Sequence, residues 1–231
     1  MSSPVSLLQC ERAPEVAPVH IWTKSALLRY VGGLSNPSKM PGYGYSLPAD
    51  ECSVWSRLRQ VAGSTCSHCY AHKGRYGFPA VQSALHRRLE SIGLPLWADV
   101  MSELIVRTGN QWFRWHDSGD LQSSDHLDAI CRVCRLTPDV HHWLPTREYR
   151  IVQEYIAAGN PIPNNLNIRL SAHMVDGPAP LLEGLTASTV STGSAPMDDS
   201  HSCPAPAQGN KCDTCRACWN PDVRVVDYHV H

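Results

Sequence analysis

Cysteines are the residues of this chain whose number and spacing most clearly indicate chemistry. The chain has 231 residues and ten cysteines, seven of which fall into two groups. The first group is Cys52, Cys66 and Cys69, with the spacing C-x13-C-x2-C. The second is Cys203, Cys212, Cys215 and Cys218, with the spacing C-x8-C-x2-C-x2-C. A C-x2-C unit directs two thiolates toward one place, an arrangement typical of zinc sites and iron–sulfur clusters alike.

The second group favours iron–sulfur over zinc. Structural zinc sites usually combine two separated pairs of ligands. Three cysteines at successive x2 spacing are instead similar to part of the bacterial ferredoxin pattern. We therefore expect a [4Fe-4S] cluster here, with zinc as the alternative.

The first group offers only three clustered thiols. Three thiolates on a four-iron cluster leave one iron open to an external ligand. Two alternatives remain at this point: a fourth protein ligand, such as His68, His72 or a cysteine from elsewhere in the chain, or a single cluster shared by both groups. We expect the open cluster, so that the chain carries one or two clusters in all.

The other cysteines have simpler interpretations. Cys131 and Cys134 lie three residues apart in a predicted helix, where free cysteine packs as a small hydrophobic residue. Cys10 stands alone near the N-terminus, in a predicted mobile tail.

Composition narrows the class of protein. The net charge is −1, so no global field attracts the chain to nucleic acid or anionic lipid. The N-terminal sequence has no basic and apolar leader, and no apolar run reaches the roughly 18 residues of a membrane span. We expect a soluble cytoplasmic protein, in which cysteines indicate metal or redox chemistry rather than disulfides.

Nucleic-acid binding is a weaker alternative. Four basic residues are interleaved with three aromatic ones in the segment after Cys69: Lys73, Arg75, Arg87 and Arg88 with Tyr70, Tyr76 and Phe78. Aromatic rings can stack on bases, but the balanced net charge argues against non-specific binding.

Hydrophobic periodicity predicts strands that alternate with helices. The predicted strands are 43–48, 111–119, 139–146, 165–173 and 186–193. The predicted helices are one within 21–33, then 54–63, 79–92, 95–109, 123–138 and 147–160, with a helical turn at 181–185. Such alternation indicates βαβ units and a parallel sheet.

In parallel α/β folds the chemistry lies at the carboxyl ends of the strands. The residues at the carboxyl ends of four predicted strands are nearly all polar: His116, Asp117, Ser118, Gly119 and Asp120, then Thr146 and Arg147, then Ser171 and His173, then Ser191 and Thr192. The alternative for 117–120 is a turn with a helix N-cap, because Ser and Asp commonly cap helices.

The predicted organisation has three parts. Residues 1–33 form an N-terminal extension, and 34–200 form the α/β domain with the cysteine loop 52–69. Residues 201–231 form a cysteine-rich segment that packs on the same domain.

Four stretches together resemble the phage gene product 88 family: "SLPADEC", "CSHCYAHKGRY", "RWHDSGDL" and "KCDTCRACW". The resemblance covers about residues 34–220. It implies a phage origin, and therefore the host cytoplasm as the location.

A wider resemblance is to the radical S-adenosylmethionine (SAM) enzymes. It implies a partial (β/α) barrel in which Cys52, Cys66 and Cys69 hold a [4Fe-4S] cluster whose open iron binds SAM. It also implies that Asp117, Ser118, Gly119 and Asp120 hold the SAM amino group and that Ser171 lies near the ribose. The C-terminal cysteines then hold an auxiliary cluster.

Two functions therefore compete. The first is a radical-SAM-type enzyme of unknown substrate. The second is a non-enzymatic phage protein, stabilised by a cluster or by zinc, that binds a host or viral macromolecule.

Overall fold

A computed structural model of the chain describes residues 18–193 and 199–230. The helices are α1 (Lys24–Tyr30), α2 (Ser53–Leu58), α3 (Pro79–Ser91), α4 (Trp97–Val106), α5 (Ser124–Leu136) and α6 (Tyr149–Ala157). The strands are β1 (Tyr43–Tyr45), β2 (Trp112–Trp115), β3 (His141–Thr146), β4 (Leu166–Ser171), β5 (Thr186–Ser191), β6 (His201–Ser202) and β7 (Val225–His229). Within the described residues, none of these helices combines the length and the apolar character that crossing a membrane requires.

In the described part of the chain, the seven strands form one open, parallel sheet in the order β1-β2-β3-β4-β5-β7-β6. Helix α5 connects β2 to β3, and α6 connects β3 to β4. Because neighbouring strands run the same way, the carboxyl ends of β1 to β4 meet at one edge of the sheet. The predicted α/β class with a partial-barrel-like parallel sheet is confirmed.

Local sequence explains why the elements begin and end where they do. The Ser123 side chain caps α5 by accepting a hydrogen bond from the backbone N–H of His126 at 3.1 Å. Pro79 begins α3 at the position where the missing proline N–H costs nothing. Strand β4 is buried at every position, as expected for a parallel strand covered on both faces.

The two faces of the sheet bury different residues. One face packs against α1, α4, α5 and α6 and forms the main hydrophobic core, in which Tyr45, Phe113 and Trp115 are almost completely buried. The other face carries Trp143 and Val226 and is covered by the C-terminal segment, through Cys218 and Trp219. The C-terminal cysteine segment is thus the cover of one face of the sheet.

The structure differs from the sequence prediction in four places. Strand β2 ends at Trp115, earlier than predicted, because His116 adopts a positive φ of 54°. Strands β6 and β7 were not predicted, although β7 pairs with β5 along its whole length. Residues 181–185 form a turn and no helix. Helix α1, predicted in an extension, places Leu27 in the main core.

Candidate functional site

The first cysteine group lies over the carboxyl edge of the sheet, because hydrogen bonds join its loop to the ends of three strands. Glu148, after β3, holds the segment that follows Cys52. His173, after β4, holds the residue before Cys66, and Asp117, after β2, holds the residue after Cys69. These residues are far from the cysteines in sequence, so only the tertiary fold brings them together.

Cys52 is positioned through the first turn of α2. The buried Glu148 carboxylate accepts a hydrogen bond from the Val54 backbone N–H at 2.7 Å and from the Ser53 hydroxyl at 3.0 and 2.8 Å. The first N–H groups of a helix have no partner within it, and a carboxylate at that end also interacts favourably with the helix dipole. Glu148 therefore fixes the start of α2, immediately after Cys52.

Cys66 is positioned by Thr65. The Thr65 backbone N–H donates to the His173 carbonyl at 2.9 Å, and its hydroxyl lies 3.1 Å from the Ala172 carbonyl. Arg147 Nε donates to the same hydroxyl at 2.9 Å. The ends of β3 and β4 therefore hold this part of the loop together.

Cys69 is followed by an aromatic and ionic network. The Tyr70 hydroxyl donates to the Asp117 carbonyl, and the Tyr76 hydroxyl donates to the Asp117 carboxylate. Arg114 pairs with the same carboxylate at 2.7 Å. Asp117 is therefore the residue at the end of β2 to which the loop is tied.

The thiols of the first group influence one another electrostatically. Burial raises the pKa of Cys52, and the charges of Asp120, Cys69, Glu148 and Cys66 raise it further. Burial also raises the pKa of Cys66, while the Arg147 cation opposes this shift. The three thiols are thus neighbours in a partly buried and electrostatically coupled group.

The structure gives each residue of the predicted SAM loop an internal partner. Asp117 pairs as described, and the Ser118 hydroxyl donates to the Leu47 carbonyl at 2.9 Å. Gly119 has a φ of +79°, and a Cβ on it would lie 2.6 Å from the Cβ of Leu47. These contacts therefore tie the end of β2 to the segment after β1.

Asp120 is the buried carboxylate of this loop, and its charge raises the pKa values of Cys52 and Cys66. It accepts hydrogen bonds from the Thr146 hydroxyl at 2.5 Å, the Arg147 N–H at 2.9 Å and the Leu121 N–H at 2.8 Å. Burial raises the pKa of Asp120 to about 6 despite these donors. Among the residues of this loop, Asp120 is thus the one whose charge acts on the pKa of Cys52.

Ser171 ends β4 beside an aromatic stack. Its hydroxyl lies 3.2 Å from the Ser188 hydroxyl, and its carbonyl accepts from the Tyr149 hydroxyl. The Tyr149 and His173 rings are parallel, with centroids 4.3 Å apart. This stack presents a planar surface at the same edge of the sheet.

The second cysteine group lies on the other face of the sheet and is also brought together by the fold. Cys203 donates its backbone N–H to the Asp227 carbonyl of β7 at 2.8 Å. Burial is the largest cause that raises the pKa of Cys212, and the charges of Cys203 and Cys215 raise it further. Burial raises the pKa of Cys218 to about 11, and Cys203 acts on it too. All four predicted ligands of this group are therefore in one neighbourhood.

Arg169 is a buried cation beside the second group. Its side chain is completely buried, and it donates to the carbonyls of Ala187, Ala217, Asn220 and Val223 at 2.7 to 3.4 Å. Within the described residues no carboxylate pairs with it, and the groups whose charge acts on it are Tyr228 and Cys218. A buried charge without an opposite charge is costly, and a deprotonated Cys218 would offset it.

No three His, Cys, Asp or Glu side chains in residues 18–193 and 199–230 lie close enough together to ligate one metal ion as they stand. Within each group the thiols influence one another's pKa values. Cys131 and Cys134 pack in the main core with no exposure, as predicted. Cys10 lies outside the described residues.

Sequence reasoning missed the residues that position the cysteines. Thr146 and Arg147 were predicted as strand-end residues, but Glu148, Thr65 and Tyr149 were not. Glu148 and Tyr149 could have been predicted from their position in the sequence, since they follow directly after the strand-end residue Arg147. The loop residue Thr65 had no signal in the sequence.

The fold and the site define an all-parallel α/β protein with cysteine groups at the carboxyl edge and on one face of its sheet. A family model described as gene product 88 matches residues 20–221, and the chain belongs to this phage family. Comparisons with curated proteins and with solved structures gave no match.

Proposed function

We propose that this phage protein binds an iron–sulfur cluster through Cys52, Cys66 and Cys69, and that the cluster keeps one iron open for SAM. The observation that carries the proposal is the anchoring of this three-cysteine loop by the ends of β2, β3 and β4. A site at the carboxyl edge of a parallel sheet is where α/β proteins place their ligands.

The number of thiols in the first group favours a cluster with an open iron over a structural zinc ion. A cubane binds each thiolate at a different iron. Three clustered thiols leave one iron of a four-iron cluster open, whereas a structural zinc site usually takes four protein ligands.

The chain's own residues prepare the site for such a group. Arg147 would offset the negative charge that gathers when the thiols deprotonate, since burial raises the pKa of Cys66 and the Arg147 cation opposes this rise. Glu148 and Thr65 hold the backbone on either side of the loop. When bound, the cluster supplies the electron for reductive cleavage of SAM.

The SAM contact is assigned to groups at the same edge. Within the described part of the chain, Arg147 uses its Nε for Thr65, which leaves its terminal N–H groups for the SAM carboxylate. Asp120, whose charge acts on Cys52 and Cys66, suits the ammonium group, while Ser118 and Gly119 hold the loop. The stacked rings of Tyr149 and His173, beside Ser171, offer a planar surface for adenine.

A metal centre at Cys203, Cys212, Cys215 and Cys218 is a second part of the proposal. It is favoured by Arg169, whose buried positive charge lies beside Cys218. With either zinc or an iron–sulfur cluster bound, the four cysteine thiolates would give the site a net negative charge that offsets it. A centre of this kind would stabilise the C-terminal segment on the sheet, which is the role that a cluster or zinc has in the alternative of a non-enzymatic phage protein that binds a host or viral macromolecule.

Anaerobic purification tests the proposal. Wild-type protein should be brown and contain iron and sulfide, and SAM should change the electron paramagnetic resonance spectrum of the reduced protein. A variant with Cys52, Cys66 and Cys69 all changed to Ser should lose the SAM-sensitive signal. Cys131→Ala should retain it, because Cys131 lies in the core.

Two outcomes would contradict the proposal. One is a colourless wild-type protein with stoichiometric zinc. The other is a triple variant that keeps all the iron and the same response to SAM.

A further inference from the structure

We propose that the surface around the three-cysteine loop binds single-stranded nucleic acid. The first observation is a strong separation of charge along the chain. Residues 52–89 contain six of the 20 Lys and Arg residues and none of the 21 Asp and Glu residues. The formal charge of this segment is therefore +6 and that of the rest of the chain is −7. The net charge of −1 does not show this separation.

The cations of this segment face solvent. Arg57, Arg59, Lys73, Arg75 and Arg87 are exposed, and none of the ion pairs found among the described residues involves them. Arg88 does not belong to this surface: it is buried and donates to the Gly33 carbonyl at 3.1 Å. The part of the sequence hypothesis that placed Arg88 beside nucleic acid is wrong.

Ring contacts link Arg59 to the segment that carries the exposed Lys73 and Arg75. The Arg59 guanidinium lies 4.9 Å from the Trp55 ring centroid, and Trp55 stacks on His72 at 4.3 Å. Lys73 follows directly. We call this surface, which comprises Arg59, Trp55, Tyr70, His72, Lys73, Arg75 and Phe78, the basic–aromatic rim.

The other end of the rim carries exposed aromatic rings. Tyr70 is 54% exposed and Phe78 58% exposed, and the Phe78 backbone N–H donates to the Arg75 carbonyl at 3.2 Å. A surface that binds single strands needs two elements, exposed aromatic rings and cations that are not in ion pairs. Bases stack on the rings and phosphates contact the cations. A duplex keeps its bases stacked inside and cannot use the rings.

The rim borders the first cysteine group through Tyr70, which follows Cys69. A strand bound there passes beside the carboxyl edge of the sheet. Binding itself needs no cluster chemistry, so the inference is tested independently of the proposed function.

Fluorescence anisotropy with a short labelled oligonucleotide tests the inference, using anaerobically purified full-length protein of known metal content. Single-stranded DNA or RNA should bind more tightly than a duplex of the same sequence. With three phosphates neutralised, the slope of log K against log salt should be about −2. Lys73→Gln/Arg75→Gln should reduce the slope to about −0.7.

The control is Arg135→Gln/Arg224→Gln, which removes the same charge from two exposed arginines outside the rim. It should bind like wild type. Phe78→Ala should weaken binding about ten-fold by loss of a stacking ring, whereas Leu136→Ala, at an exposed residue of α5, should not.

Three outcomes would overturn the inference. The first is equal binding of the rim variant and its control. The second is equal affinity for the duplex and the single strand. The third is competition by polyglutamate as effective as that of unlabelled oligonucleotide, which would indicate an acidic protein partner instead.

Discussion

The carboxylate of Glu148 accepts hydrogen bonds from the hydroxyl of Ser53, 95 residues earlier in the chain, at 3.0 and 2.8 Å. This contact joins the end of β3 to the start of α2. It shows how the sheet positions Cys52, which precedes Ser53 and has no side-chain cap of its own at the helix start.

Glu148→Ala should destabilise the protein and displace Cys52. The variant leaves the Val54 N–H and the Ser53 hydroxyl without their buried acceptor, and we expect a loss of about 2 kcal/mol in the free energy of unfolding. Denaturant titration measures this loss. Glu154→Ala, on the exposed face of α6, should change stability by less than about 0.5 kcal/mol. Equal stability of the two variants would show that the Glu148 contacts do not hold α2.

Gly119→Ala should be far more destabilising than Gly159→Ala. Both glycines have a positive φ, 79° and 82°, so alanine is strained at either position. A Cβ at Gly119 would also lie 2.6 Å from Leu47 Cβ and 2.8 Å from its backbone, whereas nothing lies within 4 Å at Gly159. We expect about 1 kcal/mol at Gly159 and at least about 2 kcal/mol more at Gly119.

Thermal unfolding of the two glycine variants checks this prediction. Similar melting temperatures would mean that the loop after β2 can move away from Leu47. The loop would then not be a rigid link between β1 and β2.

Cys212→Ser and Cys215→Ser should each lower the stability and the metal content of the C-terminal segment. A metal held by this group couples its binding free energy to folding, and Arg169 would lose the negative charge that offsets its own. A chelator should lower the melting temperature of wild type but should hardly change that of the variants. If the variants melt like wild type and retain all metal, the second group holds no metal.

Acidification should destabilise the protein through its buried histidines. Burial lowers the pKa of His126 to about 4 from an unfolded value of about 6.5. Below pH 6.5 the unfolded chain therefore binds a proton that the folded chain excludes, so stability falls as the pH falls, until both states are protonated below about pH 4. His126 alone should remove about 2 kcal/mol between about pH 7 and pH 5.

Denaturant titrations at several pH values measure this slope. His126→Gln should make it shallower, and His86→Gln, at an exposed position of α3, should leave it unchanged. An unchanged slope in His126→Gln would assign the acid sensitivity to other groups. The remaining candidates include His116 and His142, whose pKa values burial also lowers.

Periodicity predicted most of the sheet because the signal is local. Strands β3 and β4 and helices α3 to α6 appear where apolar residues recur at strand or helix spacing between Pro and Gly. Strand β7 was not predicted because it follows a Pro- and Cys-rich segment and has no α-helix directly before it. Strand β6 was not predicted because it has only two residues. Both are strands because they pair with neighbours already in the sheet.

The sequence by itself determined the parallel α/β class, the two cysteine groups, the burial of Cys131 and Cys134 and the family of the chain. These features follow from residue types and short-range spacing, because local backbone geometry limits the structures that such a pattern can form. Only the tertiary structure decided that Glu148 and Thr65 hold the first group, that Arg169 lies beside the second and that Arg88 is buried while Lys73 and Arg75 are exposed. The physical reason is that contacts between residues about 50 to 100 positions apart depend on how the helices and strands pack, and no local pattern encodes that packing.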